Sequence, residues 1–168
     1  MPALSIPERD GFLREPGLLM RFATVKPDGA PYATAIWYAF EDGALWFTPR
    51  KQSVWREHLL RDPRIAIVID EQALPYRKVV IEGRVRLAFD LGRDAEWRDR
   101  YRRIAMRYIP ADGAEHYISE TLDQTRALFT LPLASARVRS WRMPVGEEPY
   151  EGIWHRRYYA DGSKLAGE

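Results

Sequence analysis

Residues 18–48 read LLMRFATVKPDGAPYATAIWYAFEDGALWFT, and two turn signals divide them into three extended runs. Leu18 to Lys26 has strand character. Pro27-Asp28-Gly29 is a tight turn, and Tyr32 to Phe40 is a second run rich in aromatic and β-branched residues, so the pair reads as a β-hairpin. Glu41-Asp42-Gly43 is another turn signal and leads into a short strand, Ala44 to Thr48. Three consecutive strands are expected to form an antiparallel meander.

Downstream, Val54, Trp55, His58 and Leu59 fall at helical spacing within Ser53 to Leu60, and Asp62-Pro63 stops the helix. Arg64 to Asp70 alternates Ile65, Ile67 and Ile69 with other residues, and Val79, Ile81, Gly83, Val85 and Leu87 alternate in a further strand. From Gly92 to Ile109 the period changes: Trp97, Tyr101, Ile104, Ala105 and Tyr108 form one stripe of an amphipathic helix. A second helix is expected over Asp112 to Leu122, with closing strands at Ala127 to Leu131 and Ala136 to Trp141.

A chain of 168 residues with 46% apolar and 12% aromatic residues suits one domain with one core. The longest apolar run, Ala35 to Phe40, has six residues, against about 20 for a membrane span. Met1 to Asp10 lacks the basic start and apolar run of a secretory signal, so a cytoplasmic protein is expected. There is no cysteine, which excludes disulfides, thiol catalysis and thiolate-bound metal. Basic and acidic residues nearly balance at +2, yet 22 of the 26 basic residues are Arg, the residue suited to bidentate phosphate and carboxylate recognition.

Self-sufficient catalytic motifs are missing: there is no Gly-rich dinucleotide fingerprint, Walker loop, Gly-x-Ser-x-Gly elbow or His-Glu-x-x-His pair. His58, His116 and His155 lie far apart, so no metal site is expected. Arg98, Arg100, Arg102, Arg103 and Arg107 share their helix with Asp94, Glu96 and Asp99 and read as a solvated face, so no nucleic-acid partner is expected. The remaining feature is Thr48-Pro49-Arg50-Lys51-Gln52-Ser53, between a strand end and a helix start. Two cations, two hydroxyls and free helix amides suit a phosphate there. The plainer reading is an exposed basic loop in which Ser53 caps the helix.

The succession Leu19-Met20-Arg21-Phe22-Ala23-Thr24-Val25-Lys26, Asp28-Gly29-x-Pro31, Trp46-Phe47-Thr48, Arg50-Lys51, Leu60-Arg61-Asp62-Pro63-Arg64 and Ile81-Glu82-Gly83-Arg84-Val85 resembles the pyridoxamine 5′-phosphate oxidase-like flavin and deazaflavin oxidoreductases. The resemblance covers residues 12–90 well and the remainder in outline. It implies a mainly β protein with peripheral helices, an antiparallel, Greek-key-like split β-barrel of the FMN-binding type. That barrel forms one domain over residues 1–168, with its core at about 12–142 and a tail over 143–168. It further implies a homodimer that holds FMN, or alternatively a deazaflavin of the F420 type, at the subunit interface and transfers hydride to or from a small organic substrate.

Position by position, the resemblance puts Arg21, Phe22, Ala23 and Thr24 along the isoalloxazine and ribityl chain and Phe47 and Thr48 against the chain or phosphate. Arg50 and Lys51 fall on the phosphate, and Lys78 where pyridoxamine phosphate oxidases place a Gln. Arg56 and Arg61 would serve the longer tail of a deazaflavin or face water. The oxidases' substrate-recognising Arg-Leu-His element is replaced by Gly152-Ile153-Trp154-His155-Arg156-Arg157, so vitamin B6 oxidation itself is not expected. The rival class is a non-catalytic module holding a flavin or haem. Two further expectations are that Trp97, Tyr101, Tyr108, Trp141 and Trp154 exceed what one barrel hides, and that the segment around Tyr150, Trp154, Tyr158 and Tyr159 closes over the coenzyme pocket.

Overall fold

The computed structural model describes residues 1–148. In chain order it contains α1 (Ile6–Arg14), β1 (Met20–Val25), β2 (Pro31–Ile36), β3 (Ala39–Glu41), β4 (Ala44–Phe47), α2 (Val54–Arg61), β5 (Arg64–Asp70), β6 (Lys78–Arg84), β7 (Arg86–Phe89), α3 (Arg98–Met106), α4 (Ala111–Ser119), β8 (Leu128–Pro132) and β9 (Arg137–Trp141). One sheet runs β2-β1-β5-β6-β9 and the other β3-β4-β8-β7, with all pairs antiparallel. This is the mainly β split barrel with peripheral helices expected from the sequence.

Two expected strands are each two strands in different sheets. The run from Tyr32 to Phe40 breaks at Trp37-Tyr38, so β2 pairs with β1 in one sheet while β3 pairs with β4 in the other. The three-strand meander is thereby corrected. The break is held by side chains: the Tyr38 hydroxyl donates to the Leu13 carbonyl at 3.0 Å, and Trp37 stacks on Tyr108 with centroids 5.0 Å apart. The second break falls at the buried Val85, between β6 and β7. Just before it, a Cβ on Gly83 would stand 2.9 Å from Leu131 Cδ1 of the other sheet and 3.2 Å from Ala136 Cβ at the entry to β9, so any larger residue would push these neighbours aside.

The inward faces follow the strand period of two. Phe22, Ile65, Ile67, Ile69, Val79 and Ile81 meet Leu45, Phe47, Phe129 and Leu131 across the two sheets. Trp55 of α2 closes one end, edge-on to Phe22 at 5.0 Å. A second cluster joins Trp97, Tyr101, Ile118 and Leu128. Trp97 and Tyr101, two of the five aromatics expected to exceed what one barrel hides, are thus buried within the chain. Helix α1 has a capping box: Ser5 N–H donates to the Glu8 carboxylate at 2.8 Å and Glu8 N–H to Ser5 Oγ at 3.4 Å. It buries Phe12 and Leu13.

On the outward face of the larger sheet a patch of small residues crosses β2, β1 and β5, while β6 and β9 carry Lys78, Glu82, Arg137 and Arg139. Ala23 lies opposite Ala33 on one side and Ala66 on the other, and Arg21 opposite Ala35 and Val68. Ala33, Ala35, Ala66 and Val68 are exposed. No described helix of the chain is long and apolar enough to cross a membrane.

Candidate functional site

The end of β4 and the start of α2 meet the segment entering β8. Arg50 bridges to Arg126 in antiparallel fashion, Lys51 N–H donates to the Thr125 carbonyl at 3.0 Å, and Ala127 N–H to the Pro49 carbonyl at 3.2 Å. These bonds fix a loop that carries Thr48, Arg50 and Lys51 on one side and Arg126 on the other. Ser53 stands at the N-cap of α2, but it makes no side-chain capping bond; its Oγ accepts from Arg50 N–H at 3.1 Å. The hydroxyl tightens the loop and leaves the first turn of the helix without a side-chain cap.

Beside this loop a cavity of about 250 Å³ is lined by Ala35, Ile36, Trp37, Thr48, Tyr101, Ile104, Tyr117 and Arg126. Its polar corner is cationic. Arg50 Nη2 and Arg126 Nη2 both donate to the Tyr117 hydroxyl, at 3.0 and 3.1 Å. The Arg126 guanidinium also lies over the Tyr101 ring, 4.6 Å from its centroid. Burial alone would push the Tyr117 phenol up, but the Tyr101 hydroxyl and the two guanidiniums bring it down to about 8. Tyr101 is held above the ordinary tyrosine value, first by burial and then by Tyr117. Thr48 Oγ1 and Arg126 Nε are buried with no hydrogen-bond partner among the described residues. Two orphaned polar groups around one cavity are an arrangement that a polar ligand would satisfy.

The residues singled out from sequence divide into three groups. Thr48, Arg50 and Lys51 share the cationic loop, with Thr48 on the cavity wall. Arg21 and Ala23 lie on the outward sheet face, where Arg21 pairs with Asp70; Lys78 stands opposite Asp70 in register and over the Trp141 ring at 5.7 Å. Phe22, Thr24 and Phe47 point into the core, with Thr24 Oγ1 3.0 Å from His58 Nδ1. Arg56 is engaged by Glu57 and Asp90, and Arg61 by the Val25 carbonyl. The tail residues Tyr150, Trp154, Tyr158 and Tyr159 lie outside the described residues. No group of metal-ligating residues exists among the described ones.

Sequence reasoning missed Tyr117 and Arg126. Arg126 follows Arg50 by 76 positions and becomes its neighbour only through β4–β8 pairing. A faint signal was present: a cation directly before the apolar run Ala127 to Leu131 has no reason to be there for solubility.

The chain matches the family described as pyridoxamine 5′-phosphate oxidase over residues 7–138. No curated protein matches it. Among solved structures it is similar to a conserved hypothetical protein from Mycobacterium tuberculosis, with 23% identity over 88% of this chain and 94% of that one and a TM-score of 0.65. It is also similar to an F420 reductase, with 26% identity over 77% and 90% and a TM-score of 0.52. A third is the FAD- and haem-binding protein from Mycobacterium smegmatis, with 17% identity over 88% and 74% and a TM-score of 0.60.

Proposed function

The chain belongs to the pyridoxamine 5′-phosphate oxidase family, and on that premise we propose that it is a flavin-dependent oxidoreductase that binds FMN and acts on a small organic substrate. The observation that supports this reading best is the cationic cavity beside the Thr48–Lys51 loop: positive charge, orphaned donors and an apolar wall in one place. When bound, such a coenzyme accepts or donates hydride at its ring, so no side-chain nucleophile is required.

The chain's own residues supply the rest. Arg50 and Lys51 would hold the phosphate with charge-assisted hydrogen bonds, helped by the uncapped first turn of α2. Thr48 Oγ1 would gain the partner it lacks. Ala23, Ala33, Ala35 and Ala66 offer methyl groups to a planar ring, with Arg21 at the edge of the patch. Phe22, Thr24 and Phe47 act from beneath, holding the strands in register from the core. Arg21 and Lys78 add cations on either side of Asp70. The same outward face, with Val68 exposed and Val80 half-buried, suits a second copy of the chain and would complete a homodimer around the coenzyme.

A deazaflavin of the F420 type is the second reading, favoured by the 26% identity to an F420 reductase. With Arg56 engaged by Asp90 and Glu57, Lys51 becomes the candidate for the longer acidic tail. Titration of the full chain with FMN and with the deazaflavin separates the two, and one of them should saturate at one molecule per chain. Saturation by neither sinks the reading. Reduction of the bound coenzyme by a nicotinamide, followed by turnover with an electron acceptor, distinguishes an enzyme from a storage or sensing module.

A further inference from the structure

We infer that the corner of the cavity formed by Arg126 and Tyr117 is a carboxylate-recognition subsite for the molecule that exchanges hydride with the coenzyme. The assignment rests on the oxidoreductase reading for the ligand's role, and on the following geometry for its chemistry.

Arg126 is 6% exposed, and no carboxylate lies within ion-pair distance of its guanidinium among the described residues. Arg56 has Glu57 and Asp90, and Arg77 has Glu15 and Glu71; Arg107 also lacks a carboxylate, but its guanidinium donates to three backbone carbonyls, those of Leu13, Arg14 and Glu15. The acid nearest Arg126 along the fold, Asp94, is already used: Oδ1 accepts the Arg126 backbone N–H at 2.7 Å and Oδ2 accepts from Thr125 Oγ1 at 2.9 Å. A buried charge without a counter-charge is costly, and here the guanidinium finds one phenol oxygen and one aromatic face. Its Nε has no partner. The second guanidinium on the same phenol, from Arg50, carries no carboxylate partner either among the described residues.

Tyr117 therefore occupies the place of an anion. Its oxygen accepts from two cations, which help to hold its phenol below the ordinary tyrosine value against the effect of burial. Apart from Thr48 and Tyr101, the rest of the cavity is apolar: Ala35, Ile36 and Ile104, with the Trp37 ring edge-on to Tyr117 at 5.6 Å. A space of about 250 Å³, near the lower end for small-molecule pockets, suits a compact ligand. The ligand class is thus a small apolar acid, its carboxylate on Arg126 and its body against Trp37 and Ile104.

Calorimetric titration of the full chain with benzoate and with benzamide tests this, because the two differ little in shape and one is neutral. Benzoate should bind at least tenfold more tightly, on the order of 1.4 kcal/mol. Arg126→Met should abolish that preference, whereas Tyr117→Phe, which keeps the ring and frees both guanidiniums, should retain it. Equal binding of the two probes, or binding of neither, overturns the subsite without any variant needing to fold. Loss of FMN or deazaflavin affinity in Arg126→Met, with the benzoate preference intact, also overturns it and makes Arg126 a coenzyme ligand. A chain that prefers benzoate yet binds neither coenzyme supports the subsite and refutes the oxidoreductase reading instead.

Discussion

Two substitutions of the same chemistry should have opposite consequences for stability: Arg126→Met and Arg77→Met. Taking Arg126 out of water costs several kcal/mol. In return it gains a cation–π contact with Tyr101 at 4.6 Å, about 2 kcal/mol when desolvated, and a hydrogen bond of a charged group to Tyr117 at 3.1 Å, about 1.5–3 kcal/mol. The two sides nearly cancel, so Met, which fills similar space without charge, should leave stability within about 1 kcal/mol of wild type or raise it. Arg77 makes paired hydrogen bonds to Glu15 at 2.6 and 2.9 Å and to Glu71 at 2.8 and 2.6 Å, and it lies over Phe12 at 4.6 Å. Removing it strands Glu71, whose side chain is 13% exposed.

Breaking a buried pair costs about 3–5 kcal/mol; with Glu15 and Arg77 partly in water, Arg77→Met should cost about 2–3 kcal/mol. Urea unfolding at neutral pH reads both, and for a chain of this size each kcal/mol corresponds to about 2–4 °C in melting temperature. If Arg126→Met loses as much as Arg77→Met, the unpaired guanidinium serves the fold, and the argument for a ligand at that corner fails.

Tyr117 gives a pH test whose sign is fixed. The facing groups are Arg50, Arg126 and Tyr101, and they place its native pKa at about 8, below the ~10 of an unfolded tyrosine. Between these values the unfolded chain holds more protons, so this group's contribution to stability grows as pH rises from about 8 to about 10 and is lost as pH falls through 8. The urea midpoint of wild type relative to Tyr117→Phe should rise across that window; a constant difference would contradict it. Gly83→Ala should cost about 1–3 kcal/mol by pushing Leu131 Cδ1 and Ala136 Cβ away from the new methyl, and an unchanged melting temperature would show that these neighbours yield freely there. Val68→Glu, at an exposed position on the outward face, should leave the subunit folded and convert a dimer to a monomer in sedimentation. A dimer that survives it uses another surface.

The strands were legible where one face is buried and the other open. Ile65, Ile67 and Ile69 announced β5 with its observed bounds because alternation is the signature of a half-buried strand. The breaks at Trp37-Tyr38 and Val85 were not legible, since the residues that leave one sheet and enter the other are as apolar as those within either. Helix α1 was missed although its capping box, Ser5 and Glu8, is a sequence-level signal. In the site, the Thr48–Lys51 loop was visible because its cations are neighbours in sequence. Tyr117 and Arg126 were not, because they reach Arg50 through α4 packing and β4–β8 pairing rather than through any local spacing. The resemblance put Phe22, Thr24 and Phe47 against the coenzyme and left open which face of their strands they occupy; the structure has them buried.

The central claim, that the loop between β4 and α2 anchors the phosphate of a flavin-type coenzyme, is tested most directly by comparing coenzyme affinity in wild type and in the double variant Arg50→Ala, Lys51→Ala. Both side chains are exposed, so the variant should fold. Affinity for the coenzyme that saturates wild type should fall tenfold or more, on the order of 1.4 kcal/mol at least, and the difference should shrink as salt screens the cations. An affinity unchanged by the double substitution in a folded protein would contradict the account.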